Sequence, residues 1–154
     1  MSSPLIQALI AHFDRVFAGP NGDYPAVLEA VVDVSATQAL WKPAPNHNSI
    51  WQIVEHLIAS KEWQIEMLLH GQAAVPVWIE PSGDEATWQA AIARLKDAHR
   101  QLKLALEAIS ESDLLEIPAG EEACTLLELL LSSGPAHEAH HGGQIDYLRG
   151  LQAE

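Results

Sequence analysis

Residues 125–148 read TLLELLLSSGPAHEAHHGGQIDYL, and this stretch decides the fold class. Thr125 and Glu128 have the spacing of a capping box, in which the hydroxyl accepts a hydrogen bond from an amide one turn on and the carboxylate reaches back to the first amide. The side chains that follow recur at the helical period, with one stripe formed by Leu126, Leu130, His137, His141 and Leu148. The stretch therefore predicts a long amphipathic helix with histidines on its buried face.

Earlier parts of the chain show the same helical period. It predicts long helices over about 4–18, 50–69 and 82–109, and a shorter helical piece over 24–32. Capping boxes at Ser49–Gln52 and Ser82–Glu85 predict where the second and third long helices begin. No stretch alternates in the manner of a β-strand. The sequence thus predicts an all-α four-helix bundle that forms a single domain over residues 1–154.

Composition narrows the class of partner. The formal charge is −13, from 21 acidic and 8 basic residues, so a phosphate backbone or an anionic membrane surface would be repelled. No apolar run has the length of a transmembrane helix, and the first residues lack the basic start and apolar core of a signal peptide. The single cysteine, Cys124, excludes an internal disulfide and a cysteine-rich zinc site. We therefore expect a cytoplasmic protein that binds neither nucleic acid nor membrane.

His137 and His141 lie one turn apart on the predicted buried face. Two imidazoles at this spacing can present ring nitrogens to one ion, and neutral imidazole is a good ligand for divalent transition metals. Burial of both without a shared partner would be unfavourable. His56 and His99 each lie on the inner stripe of another helix, so the pattern alone leaves the third ligand open. His140, at the edge of the same face, competes with His141.

Two segments resemble the DinB-like proteins. Residues 48–57 (NSIWQIVEHL) resemble the segment that opens the second helix of this family, and His137-x-x-x-His141-x-Gly143-Gln144-Ile145 resembles its closing helix. Trp41-Lys42-Pro43, Trp88-Gln89-Ala90-Ala91 and Leu148-Arg149 also match positions where the family has similar residues. The likeness extends over nearly the whole chain.

The resemblance implies a four-helix bundle with up-down-down-up connectivity and one divalent metal, zinc, nickel, iron or manganese, held by His56, His137 and His141. It also implies a homodimer, since members of the family are often homodimers. Some members are thiol-dependent S-transferases or isomerases that use the low-molecular-weight thiols bacillithiol or mycothiol. Transfer of such a thiol to a small-molecule substrate is therefore the expected activity.

A three-histidine site would leave at least one coordination position open, which is typical of catalytic rather than structural metal sites. Such a metal could lower the pKa of a water for hydrolysis or of an incoming thiol for transfer. Cys124 precedes the last helix and lies about three turns from His137, too far to serve as a ligand, so the thiol would be external. Gln144, one turn beyond His141, is a candidate to orient a ligand imidazole, and Glu138 is a candidate acid–base or supporting residue.

Two rival interpretations stay open. Residues 137–141 (HEAHH) also fit the H-E-x-x-H pattern of zinc peptidases, with Glu138 as general base. No histidine follows His141 to serve as a downstream third ligand, which disfavours this interpretation. The other rival is a non-catalytic, dimeric interaction or metal-binding module.

Within the last helix, Pro135 lacks an amide donor and is expected to kink the helix one turn before the ligands.

Overall fold

The computed structural model describes residues 3–120 and 123–153, and these residues form helices and loops without a β-strand. We number the helices α1 to α8 in chain order: Pro4–Ala18, Val27–Val31, Ala36–Leu40, Ile50–His70, Glu85–Ala108, Glu111–Leu114, Leu126–Leu131 and His137–Gln152. A π-helical turn, Ser132–Ala136, joins α7 to α8 without a break. The all-α class is confirmed, whereas the up-down-down-up connectivity stays a prediction.

Side-chain caps determine where the long helices begin. At α4, Ser49 Oγ accepts from the Gln52 amide at 3.1 Å, and Gln52 Oε1 accepts from the Ser49 amide at 2.9 Å. Thr125 and Glu128 cap α7 in the same way. For α5 the predicted cap was wrong, because the carboxylate of Asp84, not the hydroxyl of Ser82, lies directly before the first turn and accepts from the Thr87 amide at 3.0 Å.

Two short helices depart from the predicted boundaries. The piece predicted over 24–32 is helical only over Val27–Val31, and a second short helix, α3, follows over Ala36–Leu40. Ser35 and Gln38 form a capping box that starts α3. Five residues are too few for the apolar period to be recognised, so the capping box was the only signal in the sequence.

The predicted disturbance at Pro135 takes the form of the π-helical turn. Pro135 has no amide hydrogen to continue the α-helical pattern, and side chains satisfy carbonyls in and beside the turn: Gln64 Nε2 donates to Ser133 O at 3.1 Å, and Ser133 Oγ donates to Leu129 O at 2.7 Å. The turn also packs closely on α1, because a Cβ at Gly134 would lie 2.5 Å from ring carbons of Phe13. The turn thus fixes the position at which α8 begins with His137.

Polar side chains lie between two apolar clusters of the core. One cluster contains Trp51 and Trp88, and the other contains Phe13 and Leu130. In α4 and α5, polar residues occupy helix positions between the members of the two clusters, and four of them are buried (Ser60, Lys61, Gln64 and His99). Over the described residues, no helix combines the length and apolar content that a bilayer-spanning segment requires.

Candidate metal centre

Three histidine side chains converge between α4 and α8. His56 lies in the middle of α4, and His137 and His141 lie in the first two turns of α8. The Nε2 atom of His137 is 3.0 Å from that of His56 and 2.9 Å from that of His141. All three offer a ligand atom within 4.8 Å of one another. We call His56, His137 and His141 the histidine triad.

A hydrogen bond from behind orients one ring of the triad. His141 Nδ1 lies 2.7 Å from Gln144 Oε1, and because an amide oxygen only accepts, the imidazole proton is on Nδ1. The lone pair of His141 is then on Nε2, facing the other two rings, which is the tautomer a metal ligand needs. His141 is buried, whereas His56 and His137 are half-buried. The structure thus places Gln144 against the outer nitrogen of His141, and its role in positioning a ligand stays a prediction.

Burial keeps the triad uncharged at neutral pH. Burial, followed by repulsion from a neighbouring imidazole of the triad, lowers the pKa of His56, His137 and His141 to about 4 each. Among the described residues, no carboxylate makes a hydrogen bond or ion pair with these rings. Three neutral nitrogen donors aimed at one point fit a divalent transition metal.

A cavity of about 420 Å³ reaches His56 and His137 from one side. The indole of Trp78, in the segment between α4 and α5, stacks on the His56 ring with centroids 4.0 Å apart and planes at 7°. An ion at the triad would therefore have protein ligands on one side and open space on the other. Sequence analysis missed Trp78, because a tryptophan in a loop belongs to no helical period.

A second polar cluster lies beside the triad. Lys61 Nζ donates to Glu138 Oε1 and, at 3.1 Å, to His99 Nδ1. His99 Nε2 then lies 2.9 Å from Asp14 Oδ1. We call Glu138, Lys61, His99 and Asp14 the buried ion-pair chain. Sequence analysis missed Lys61, although a lysine on the inner face of α4, between Leu57 and Gln64, was a signal that a buried anion was needed.

Within the buried ion-pair chain, burial is the largest influence on the pKa of both Lys61 and Glu138. Burial lowers the pKa of the Lys61 ammonium, and attraction to Glu138 opposes that shift. Burial raises the pKa of Glu138, and Lys61 opposes that shift in turn. Each charge thus depends on the other for its stabilisation.

The remaining candidates from the sequence lie outside the triad. His99 is hydrogen-bonded across the bundle, and His140 is exposed with its ring centroid 5.1 Å from that of His141. Glu138 contributes no atom to the triad, since its Oε1 accepts from Lys61. Glu138, which the peptidase interpretation requires as its general base, is therefore already engaged in an ion pair.

Fold and site together define a class: an all-helical protein with a candidate three-histidine metal centre. A family model described as the DinB superfamily matches residues 23–145. The chain belongs to the DinB superfamily, as the resemblance predicted. The match includes the triad and Gln144 but not α1. No curated protein matches the chain, and no solved structure does.

Proposed function

We propose that the chain binds one divalent transition metal through Nε2 of His56, His137 and His141, and uses it in a reaction of a small molecule. The observation that carries the proposal is the convergence of three Nε2 atoms on rings that burial keeps neutral. Zinc, nickel, iron and manganese all accept imidazole nitrogen.

Thiol transfer is the reaction that we place first, because the chain belongs to a superfamily some of whose members, as the resemblance implies, transfer low-molecular-weight thiols. When bound, a divalent metal would supply Lewis acidity, which would lower the pKa of a coordinating thiol so that its proton passes to solvent without a protein base. The chain's own residues would hold the metal ligands in place: Gln144 holds the tautomer of His141, and Trp78 holds the ring of His56. No carboxylate lines the described cavity beside the triad, so a hydrolysis that required a general base would lack one. The thiol would be an external low-molecular-weight compound.

Metal content of the untagged protein tests the metal assignment. Plasma mass spectrometry should find about one equivalent in the wild-type protein after incubation with zinc, nickel, iron or manganese, and none in His56→Ala or His137→Ala. His140→Ala is the matched control, because it removes a neighbouring exposed imidazole and should leave the metal content unchanged. Metal retained in His137→Ala, or lost equally in His140→Ala, would contradict the assignment.

The chemical step has its own test. Metal-loaded protein is incubated with an electrophile and with a panel of small thiols, and formation of the thioether is followed by mass spectrometry. We expect turnover that His137→Ala abolishes. A loaded protein that transfers no thiol would instead support the alternative of a non-catalytic metal-binding module.

The homodimer also remains a proposal. Val77 and Ile79 are 74% and 48% exposed in the segment before α5, and they offer apolar surface that a second copy could cover. Sedimentation velocity at several protein concentrations should show a species of twice the monomer mass. A monomer at all concentrations would remove this part of the proposal.

A further inference from the structure

The cavity beside the triad has walls of unusual composition for a protein of charge −13. Trp63, Val75, Pro76 and Trp78 supply its apolar surface, and outside the triad only Ser60 and Ser133 add hydroxyl groups. No lysine, arginine, aspartate or glutamate is among the described residues that line it. A charged group placed there would lose its hydration and find no opposite charge in return.

We infer that this cavity binds the uncharged, apolar body of the substrate, of aromatic type, and that Trp78 is the residue that selects it. The inference deepens the proposed function, on which it rests for the identity of the reacting centre. A group held against Trp78 would lie beside the triad, because the same cavity is lined by His56 and His137.

The contacts of Trp78 carry this assignment. Its ring is parallel to that of His56, with centroids 4.0 Å apart, and lies edge-on to His141 at 6.0 Å. Despite these contacts it is 43% exposed. A large aromatic surface left open to water next to an apolar cavity is stabilised when a flat apolar group covers it.

The segment that carries Trp78 is anchored on one side only. Just after it, Glu80 accepts from Gln52 Nε2 at 2.7 Å and forms an ion pair with Lys42 at 2.8 Å. Just before it, no hydrogen bond joins residues 73–77 to the rest of the described chain. Val75 and Pro76 are therefore able to adjust to the size of the bound group while Trp78 keeps its place on His56.

Three naphthalene compounds that differ only in charge test the inference: 2-naphthylmethanol, 2-naphthoate and 2-naphthylmethylamine. Their affinities are measured by titration calorimetry at pH 7.5 with metal-free protein, because a carboxylate or an amine could itself coordinate zinc at an open position. The alcohol should bind at least about tenfold more tightly than the carboxylate or the ammonium, because only it leaves no buried charge unpaired. The amine is the control for the protein's net negative charge, because that charge alone would favour binding of the ammonium over the alcohol.

Variants assign the effect to Trp78. Trp78→Ala should weaken binding of the alcohol by about tenfold, and Trp78→Phe should restore most of it. Trp41→Ala is the matched control, since Trp41 is a partly exposed tryptophan that does not line the cavity, and it should have no effect. Circular dichroism melting verifies that each variant is folded.

Several outcomes would overturn the inference: no binding of the alcohol, equal affinity for the carboxylate, or equal losses in Trp78→Ala and Trp41→Ala. Its failure is distinguishable from failure of the proposed function. If the alcohol binds in a Trp78-dependent manner but the protein takes up no zinc, the inference about the cavity stands and the proposed zinc site is contradicted. If the protein takes up zinc but does not bind the alcohol, the metal site stands and the inference about the cavity is contradicted.

Discussion

The histidine triad and the buried ion-pair chain both connect α4 to α8, and the ion-pair chain continues to α5 and α1. Their buried polar groups have opposite kinds of surroundings. His137 and Glu138 are consecutive in α8, yet each belongs to a different cluster, because neighbouring positions on a helix point about 100° apart. In the ion-pair chain, Lys61 has Glu138 on one side and His99 on the other, and Asp14 follows. In the triad, three like groups face one another without an anion.

The difference shows which cluster the protein completes by itself. Buried polar groups in folded proteins almost always have partners, and the ion-pair chain meets that requirement from within except at Glu138 Oε2, which is buried without a hydrogen-bond partner in the described part of the chain. The triad does not, since its three Nε2 atoms crowd together and His56 Nδ1 is buried without a hydrogen-bond partner in the described part of the chain. A cation that accepts nitrogen lone pairs would supply the partner that the triad lacks.

The largest effect is expected from Lys61→Met. It leaves the carboxylate of Glu138 buried and unpaired, which should lower the free energy of unfolding by about 3–5 kcal/mol. Urea unfolding of the metal-free protein measures this change. The double variant Lys61→Met, Glu138→Leu removes both charges and should recover most of the loss. A Lys61→Met variant as stable as the wild type would mean that the pair contributes no charge–charge stabilisation.

Zinc should act on the triad alone. At a free zinc concentration of one hundred times the dissociation constant, the wild-type protein should gain about 2.7 kcal/mol in the free energy of unfolding. His137→Ala should gain nothing, whereas Lys61→Met should gain as much as the wild type despite its lower starting stability. Unfolding with and without zinc gives these differences. Loss of the zinc effect in Lys61→Met would show that the two clusters are coupled.

Gln144→Leu should weaken metal binding without abolishing it. Removal of the acceptor that fixes the tautomer and orientation of His141 should reduce affinity by about 10–100-fold. Competition with a chelating indicator dye measures the affinity. Gln101→Leu, an exposed change on α5, is the matched control. Equal affinities for both variants would mean that Gln144 does not position the ring.

Local patterns made the triad partly predictable. The capping boxes at Ser49 and Thr125 and the helical period determined where α4 and α7 begin, and two histidines one turn apart are neighbours on any helix. The third histidine could not be predicted from local patterns in this way. His56 and His99 both lie on inner stripes, and only the axial position of one helix against another separates them. Family resemblance, not periodicity, favoured His56.

The ion-pair chain and Trp78 were not predictable by these means. Lys61 and Glu138 are 77 residues apart in sequence, and no local rule connects positions so distant. Glu138 was therefore interpreted only through its neighbours His137 and His141, as an acid–base candidate. Trp78 lies in a segment without regular structure, where apolar residues carry no period. Non-local pairing and loop placement are both consequences of tertiary packing.

The smallest effect concerns His99, and it tests whether the ion-pair chain holds one positive charge or two. Burial, followed by repulsion from Lys61, lowers the pKa of His99 to about 4, and Asp14 opposes the shift. The unfolded chain, with an ordinary histidine pKa near 6.5, then binds more protons than the folded chain between pH 6.5 and 4. Stability must therefore fall as the pH falls through that window.

Between pH 7 and pH 6, this histidine alone should lower the free energy of unfolding by about 0.7 kcal/mol. His99→Gln keeps a polar group between Lys61 and Asp14 but does not titrate, so its loss over the same interval should be smaller by that amount. Urea unfolding of the metal-free proteins at both pH values gives the difference. Equal losses would mean that Asp14 outweighs burial and Lys61, so that His99 is already protonated in the folded protein. The buried ion-pair chain would then hold two adjacent cations, Lys61 and His99, between the carboxylates of Glu138 and Asp14, and its contrast with the neutral triad would be sharper still.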